Sequence, residues 1–180
     1  LRSSVREGVL NTKPGVPFRT PAEGRNIAFT SLWDNYPDSL TVPLKGKASR
    51  AYLLMAGSTN HMQCHIDNGL IRVYYKDGTC DVMPLRNPDN WPPIEHIFFE
   101  DGLAFNRHAP ALYRLRLKTG EVSNNFGEEL GFPGASRELD GGAAVLLEMP
   151  LNPDKKLSHL VLETLSNDVV IGLMSITLQR

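Results

Sequence analysis

Thirteen prolines and fifteen glycines punctuate a chain of 180 residues every few positions. Proline removes a backbone donor and glycine weakens any regular element, so little room is left for an uninterrupted helical pattern of a dozen residues. Short strands joined by turns are favoured instead. Nine runs of β type follow one another: Ile27 to Leu32, Leu40 to Leu44, Ala51 to Ala56, Leu70 to Tyr75, Thr79 to Leu85, Leu112 to Leu117, Ala143 to Met149, Leu157 to Thr164 and Val169 to Leu178. Nine are enough for two packed sheets, so the fold class predicted is an all-β sandwich.

The length suits one domain, since a chain of this size buries roughly 70% of its unfolded surface without staples. Hydrophobic residues make up 41% and charged residues 22%, with a net charge of -1. That balance excludes a disordered chain and a polybasic nucleic-acid binder. The longest apolar run, Val169 to Leu178, is half of the roughly 20 residues that a membrane-spanning helix needs, so no membrane partner is expected. The chain opens at Leu1 without a Met or a signal sequence and reads as a processed or excised piece of something longer.

Residues 1 to 25 carry Gly8, Pro14, Gly15, Pro17, Pro21 and Gly24 without a sustained period. They read as an extended lead-in that crosses the domain or links it to a preceding one, with the sandwich over 26 to 180. Leu40, Val42 and Leu44 alternate with Thr41 and Pro43, the pattern of an edge strand. Asp77-Gly78 between two apolar runs predicts a hairpin with a two-residue type I′ turn. That register pairs Tyr75 with Cys80 and Val73 with Val82, placing Ile71, Val73, Tyr75, Cys80 and Val82 on the core face and Arg72, Tyr74, Asp81 and Met83 on the other. Ser166-Asn167-Asp168 predicts a second hairpin, whose final strand is apolar enough to be central. Cys64 and Cys80 are too few for a disulfide framework or a thiolate zinc site and are expected to be unbridged.

Several chemistries can be weighed on these residues. Nucleotide binding finds no G-x-G-x-x-G and no P-loop around Lys45-Gly46-Lys47, and Gly57-Ser58-Thr59 lacks the G-x-S-x-G elbow of a nucleophilic serine. His61 and His65 stand four apart, but their Gly- and Asn-rich surroundings indicate a loop, without the glutamate of HExxH. No metal and no cofactor is therefore expected. Asp34, Asn35 and Asp38 could ligate calcium, although Asx residues in turns more often cap backbone. The irregular stretch Arg86 to Pro110 holds Glu95, His96, Glu100 and Asp101, yet no spacing arranges an acid and a base as glycoside hydrolysis requires. The expectation is a domain that is not an enzyme. The sharpest cluster is Trp33-Asp34-Asn35-Tyr36-Pro37, since aromatic rings stack on sugar faces while Asp, Asn and His bond hydroxyls. In a sandwich, loops collect at two ends, which suggests one ligand-binding surface built from Trp33, Asp34, Asn35, Asn60, His61 and Trp91.

Three segments carry a family resemblance: LTVPLKGKASRAYLLMAGST at 40 to 59, NGLIRVYYKDGT at 68 to 79 and LSHLVLETLSNDVVIGLMSITL at 157 to 178. Together they resemble the galactose-binding-domain-like jelly-roll sandwich that accompanies many bacterial glycoside hydrolases. With SLWDNYP, GSTNHMQ and LRNPDNW added, roughly residues 25 to 180 resemble the C-terminal sandwich of a group of Bacteroidetes glycoside-hydrolase-like proteins, which an (α/α)-barrel precedes. The resemblance implies a two-sheet jelly roll serving as a non-catalytic carbohydrate-binding accessory domain, with a glycan and the parent's catalytic domain as partners. The alternative it leaves open is a structural module that packs on the catalytic domain and binds nothing. It also implies a periplasmic or extracellular setting.

Overall fold

In a computed structural model, which describes residues 1–12, 14–21, 23–96, 106–126 and 139–180, each of the nine apolar runs forms a strand. In chain order the strands are β1 (Val9–Asn11), β2 (Pro17–Arg19), β3 (Ala28–Ser31), β4 (Ser39–Pro43), β5 (Arg50–Ser58) and β6 (Asp67–Tyr75), then β7 (Cys80–Arg86), β8 (Arg114–Arg116), β9 (Val122–Ser123), β10 (Ala143–Pro150), β11 (Leu157–Thr164) and β12 (Val170–Gln179). Among the described residues the one helical element is a 3-10 turn at Arg2–Ser4. The protein is all-β, and its body is an antiparallel sandwich. One sheet has the order β3-β12-β5-β10-β8-β9, the other β4-β11-β6-β7. As the alternation predicts, β4 is an edge strand, with Pro43 where no further neighbour needs its missing N–H.

The core lies between the two sheets. Leu53 and Met55 of β5, Val145, Leu147 and Met149 of β10, and Ile171 and Leu173 of β12 meet Ile71 and Val73 of β6, Leu85 of β7, and Leu157, Leu160 and Leu162 of β11. Each fully buried aliphatic side chain contributes about 1.5–3 kcal/mol relative to exposure. The runs AYLLMA and AAVLLEM are apolar on both faces because a third layer covers the six-stranded sheet. Leu54 and Ala56 of β5, and Ala144 and Leu146 of β10, point outward and pack beneath Leu1, Val5, Leu10, Val16 and Phe18. The β1–β2 hairpin thus lies across the sheet, with Ser175 donating to the Arg19 carbonyl at 2.8 Å and Thr177 to that of Pro17. The outer face of the four-stranded sheet is instead polar: Arg72 pairs with Glu163, and Tyr74 stacks on His159 at 4.7 Å.

Two turn assignments differ from the sequence reading. The hairpin at Asp77-Gly78 exists, but its loop has three residues. Tyr75 N–H donates to Thr79 O, and Gly78 alone occupies the left-handed region at φ +87° while Asp77 does not. This is a type I turn closed by a glycine bulge, and Asp77 favours it by accepting from both the Thr79 amide (3.0 Å) and its hydroxyl (2.6 Å). Tyr74 therefore pairs with Cys80 and Val73 with Asp81. A slip of one residue reverses every side chain on β7. Cys80 and Val82 are exposed rather than in the core, and Asp81 and Met83 take the inward side beside Tyr75 and Ile71. Neither cysteine is in a disulfide.

The second predicted hairpin is not one. β11 lies in the four-stranded sheet between β4 and β6, and β12 in the six-stranded sheet between β3 and β5, so Ser166-Asn167-Asp168 steps from one layer to the other. Both strands carry a full apolar face, and placing them in opposite sheets lets those faces bury each other. β12 is central, as its composition predicts.

Candidate functional site at one end of the sandwich

The strand registers bring four connections to one end. Ser31 and Ser58 both flank Val170, Thr164 pairs with Gly69, and Asp67 with Arg86. The connections 32–38, 59–66 and 165–169 and the start of the long one after β7 consequently share that end. Ser31 Oγ donates to Val169 O at 2.7 Å, and Gln63 Nε2 to Asn167 O at 2.6 Å. The first two connections are thereby tied to the third. Among the described residues, five exposed apolar side chains lie here: Leu32, Trp33, Met62, Ile66 and Leu165.

The 32–38 connection closes on itself through Tyr36 N–H to Trp33 O (2.9 Å) and Ser31 N–H to Pro37 O (3.0 Å). Trp33 is 48% exposed, with its ring 6.4 Å from that of Tyr36, which in turn meets Phe29 edge-on at 6.2 Å. Asp34 and Asn35 are exposed on the same turn. Asn60 is exposed, its side-chain oxygen accepting from Met62 N–H. The 59–66 connection hangs on a residue that sequence reasoning passed over, Asn68. It is fully buried, accepts from Thr59 Oγ1 at 2.6 Å, and donates to the carbonyls of Gln63 and Ile66.

Trp91 is not part of any exposed surface. It is 1% exposed and belongs to the main core, folded back by its own amide bond to Arg86 O onto Gly57. Any Cβ at Gly57 would come within 2.9 Å of the indole, so the missing side chain leaves the space that the ring fills. The polar residues near it in sequence are turned inward as well, since Asn87 is buried and Asn90 accepts from Arg86 N–H and donates to Pro84 O.

The histidines pair differently from their spacing. His61 does not face His65. Its Nε2 stands 2.7 Å from Nε2 of His96, with ring centroids 4.0 Å apart, and Glu95 adds a carboxylate so that the ligand atoms of all three lie within 4.8 Å of one another. His65, at φ +56°, instead meets His108 at 4.8 Å, with Asp89 as the third member of a second trio. Glu95 and His96 were legible only as members of a long polar loop, and Glu100 and Asp101 lie outside the described residues.

A buried arginine holds the Glu95 segment. Arg114 of β8 donates to the carbonyls of Pro93 (3.1 Å), Ile94 (3.1 Å) and His96. Burial pushes this guanidinium down to about 10, partly opposed by the Glu95 charge, and the carbonyls replace the water it has lost. Ala143 N–H to Ile94 O (2.8 Å) and Leu139 N–H to Glu95 O (2.5 Å) complete the anchoring. The result is an imidazole pair and a carboxylate on braced backbone, at the end of the sandwich that also carries an aromatic turn with exposed Asp and Asn. No protein-family model, no curated protein and no solved structure matches this chain, and its function rests on the site itself.

Proposed function

We propose that this domain is a non-catalytic carbohydrate-binding accessory module of a carbohydrate-active protein, with its contact surface around Trp33, Asp34, Asn35, Asn60 and His61. The observation that carries the reading is the half-exposed indole of Trp33. A large ring left in solvent on a self-closed turn, backed by Tyr36 and flanked by Asp34 and Asn35, offers a stacking face with hydroxyl partners beside it. The strands cross repeatedly between the two sheets, which supports the jelly-roll, galactose-binding-like resemblance. One ring without Trp91 makes a small platform, so affinity is expected in the micromolar to millimolar range, about -4 to -8 kcal/mol.

A glycan array followed by calorimetry tests this. At least one sugar should bind, and Trp33→Ala should abolish the heat while leaving the melt unchanged. A blank array, or binding indifferent to Trp33→Ala, overturns it, and turnover of an aryl glycoside by the purified chain overturns its non-catalytic part. The second reading, a structural module packed on a catalytic domain, is favoured by Met62, Ile66 and Leu165, aliphatic side chains of no use to a sugar that stand exposed at the same end. Its signature is a blank array together with association of the parent's catalytic domain that Met62→Asp abolishes.

A further inference from the structure

We propose that His61, Glu95 and His96 bind a single zinc ion, with a fourth coordination position left for water or for an oxygen of a bound ligand. The donor set is the first argument. Two imidazole nitrogens and one carboxylate suit zinc and its transition-metal neighbours, whereas calcium and magnesium select cages of oxygen. Geometry is the second. Tetrahedral zinc with ligands at roughly 2.0–2.2 Å holds its donor atoms about 3.3–3.6 Å apart. The two imidazoles present Nε2 of His61 at 2.7 Å and 3.2 Å from the two ring nitrogens of His96, and all three ligand atoms fall within 4.8 Å. Side-chain rotations of about an ångström convert that arrangement into a coordination shell.

Bracing is the third argument. Adjacent residues such as Glu95 and His96 point apart on an extended chain. Here His96 N–H bonds Pro93 O at 3.2 Å, turning the backbone so that both side chains meet His61. Arg114, Ala143 and Leu139 fix the carbonyls of that turn. On the opposite side, Cys64 Sγ donates to His61 O at 2.8 Å, and Asn60 anchors the Met62 amide. All three ligand residues are half-buried, which limits competition from water without closing off entry.

The second trio is a weaker candidate and serves as the comparison. The Asp89 carboxylate already accepts the His108 amide at 2.7 Å, and the His108 side chain is 64% exposed. The zinc site shares His61 with the proposed sugar surface but uses neither Trp33 nor its turn, so zinc binding retained in Trp33→Ala separates the two readings.

The test uses the untagged chain, treated with EDTA and dialysed, and titrated with zinc chloride against a chromophoric chelator, with melts recorded in parallel. One zinc per chain is expected, micromolar or tighter, with a rise in melting temperature. His61→Ala and Glu95→Gln should each weaken binding at least tenfold and cancel that rise, while melting in EDTA within a few degrees of wild type. His108→Ala should bind as wild type. No binding tighter than millimolar, or binding that survives His61→Ala, overturns the proposal. So does binding lost in His108→Ala and retained in His61→Ala, which would place the ion on the second trio.

Discussion

The two tryptophans separate a half-exposed ring from a core ring, and because the chain has only two, each single variant reports on the other. Trp91 is 1% exposed and packs over Gly57, which has no side chain that could move into the space vacated by truncation. Trp91→Ala should therefore cost the full transfer and cavity terms, about 3–5 kcal/mol. For a chain of this length that lowers the melting temperature by about 6–20 °C, at roughly 2–4 °C per kcal/mol. Some of the loss is recoverable, because the indole N–H has no acceptor among the described residues. Trp91→Phe removes that unsatisfied donor along with part of the volume and should be the milder change. Trp33→Ala gives up a tilted contact with Tyr36 from a half-exposed position and should stay within about 1 kcal/mol of wild type. Thermal melts followed by circular dichroism measure both, and iodide quenching supplies an independent check. In Trp33→Ala the remaining emission should be blue-shifted and resistant to iodide, and in Trp91→Ala red-shifted and quenched. A Trp91→Ala melt within about 3 °C of wild type, or ready quenching of Trp91, would refute its place in the core.

Two further predictions concern the β6–β7 hairpin. Because Cys80 lies on the outer face, a thiol reagent should modify it rapidly in the native protein, and Cys80→Ser should remove the fast phase; protection of Cys80 would restore the two-residue turn. In the same turn, Gly78→Val should cost about 1–3 kcal/mol, because a β-branched residue resists φ near +87°, and an unchanged melt counts against the bulge. Tyr75 sets a pH dependence. Burial first, then its hydroxyl bond to Asp81, pushes it up to about 12. The unfolded chain gives up this proton near pH 10 while the folded protein keeps it. The contribution is thus full below pH 10 and falls away toward pH 12, by about 2–3 kcal/mol. Arg114, pushed down to about 10, acts oppositely, since its folded form sheds a proton before the unfolded one and stability rises from pH 10 upward. Urea unfolding of wild type and Tyr75→Phe across pH 9 to 11.5 isolates the tyrosine; curves that stay parallel sink the argument.

Periodicity located the long strands because each buries a face, and a face shows as alternation or as a continuous apolar run. β1, β2 and β9 escaped it because two or three residues are too few to display a period, and in β2 the buried Phe18 sits beside Pro17. Alternation also says nothing about layer, which is why β11 and β12 read as neighbours. At Asp77-Gly78 the dipeptide suits two turn lengths, and a side chain outside it, Thr79, decides between them. The site was legible in part: Trp33, Asp34 and Asn35 stand exposed as a run in a turn should. His61 met a partner 35 residues away instead of the one four away, because distance between loops is set by the sheets beneath them. Trp91 read like Trp33, both being rings among Asn and Pro. What distinguishes them is Gly57, a strand residue far from either in the chain.

The position of β12 also governs when the protein can fold. β12 is the strand that joins β3 to β5, and it receives the Arg19 and Pro17 contacts of the first hairpin. On a ribosome β3 and β5 emerge first and wait for the strand that joins them until everything from β6 to β11 has been made. Leu53 and Met55 on the inner face of β5 lack their core partners Ile171 and Leu173 of β12 through that interval. Such long-range closure makes folding slow and leaves the growing chain open to aggregation and to chaperones. A stop codon at Ile171, which removes all but the first residue of β12, should therefore yield insoluble protein, not a shortened sandwich.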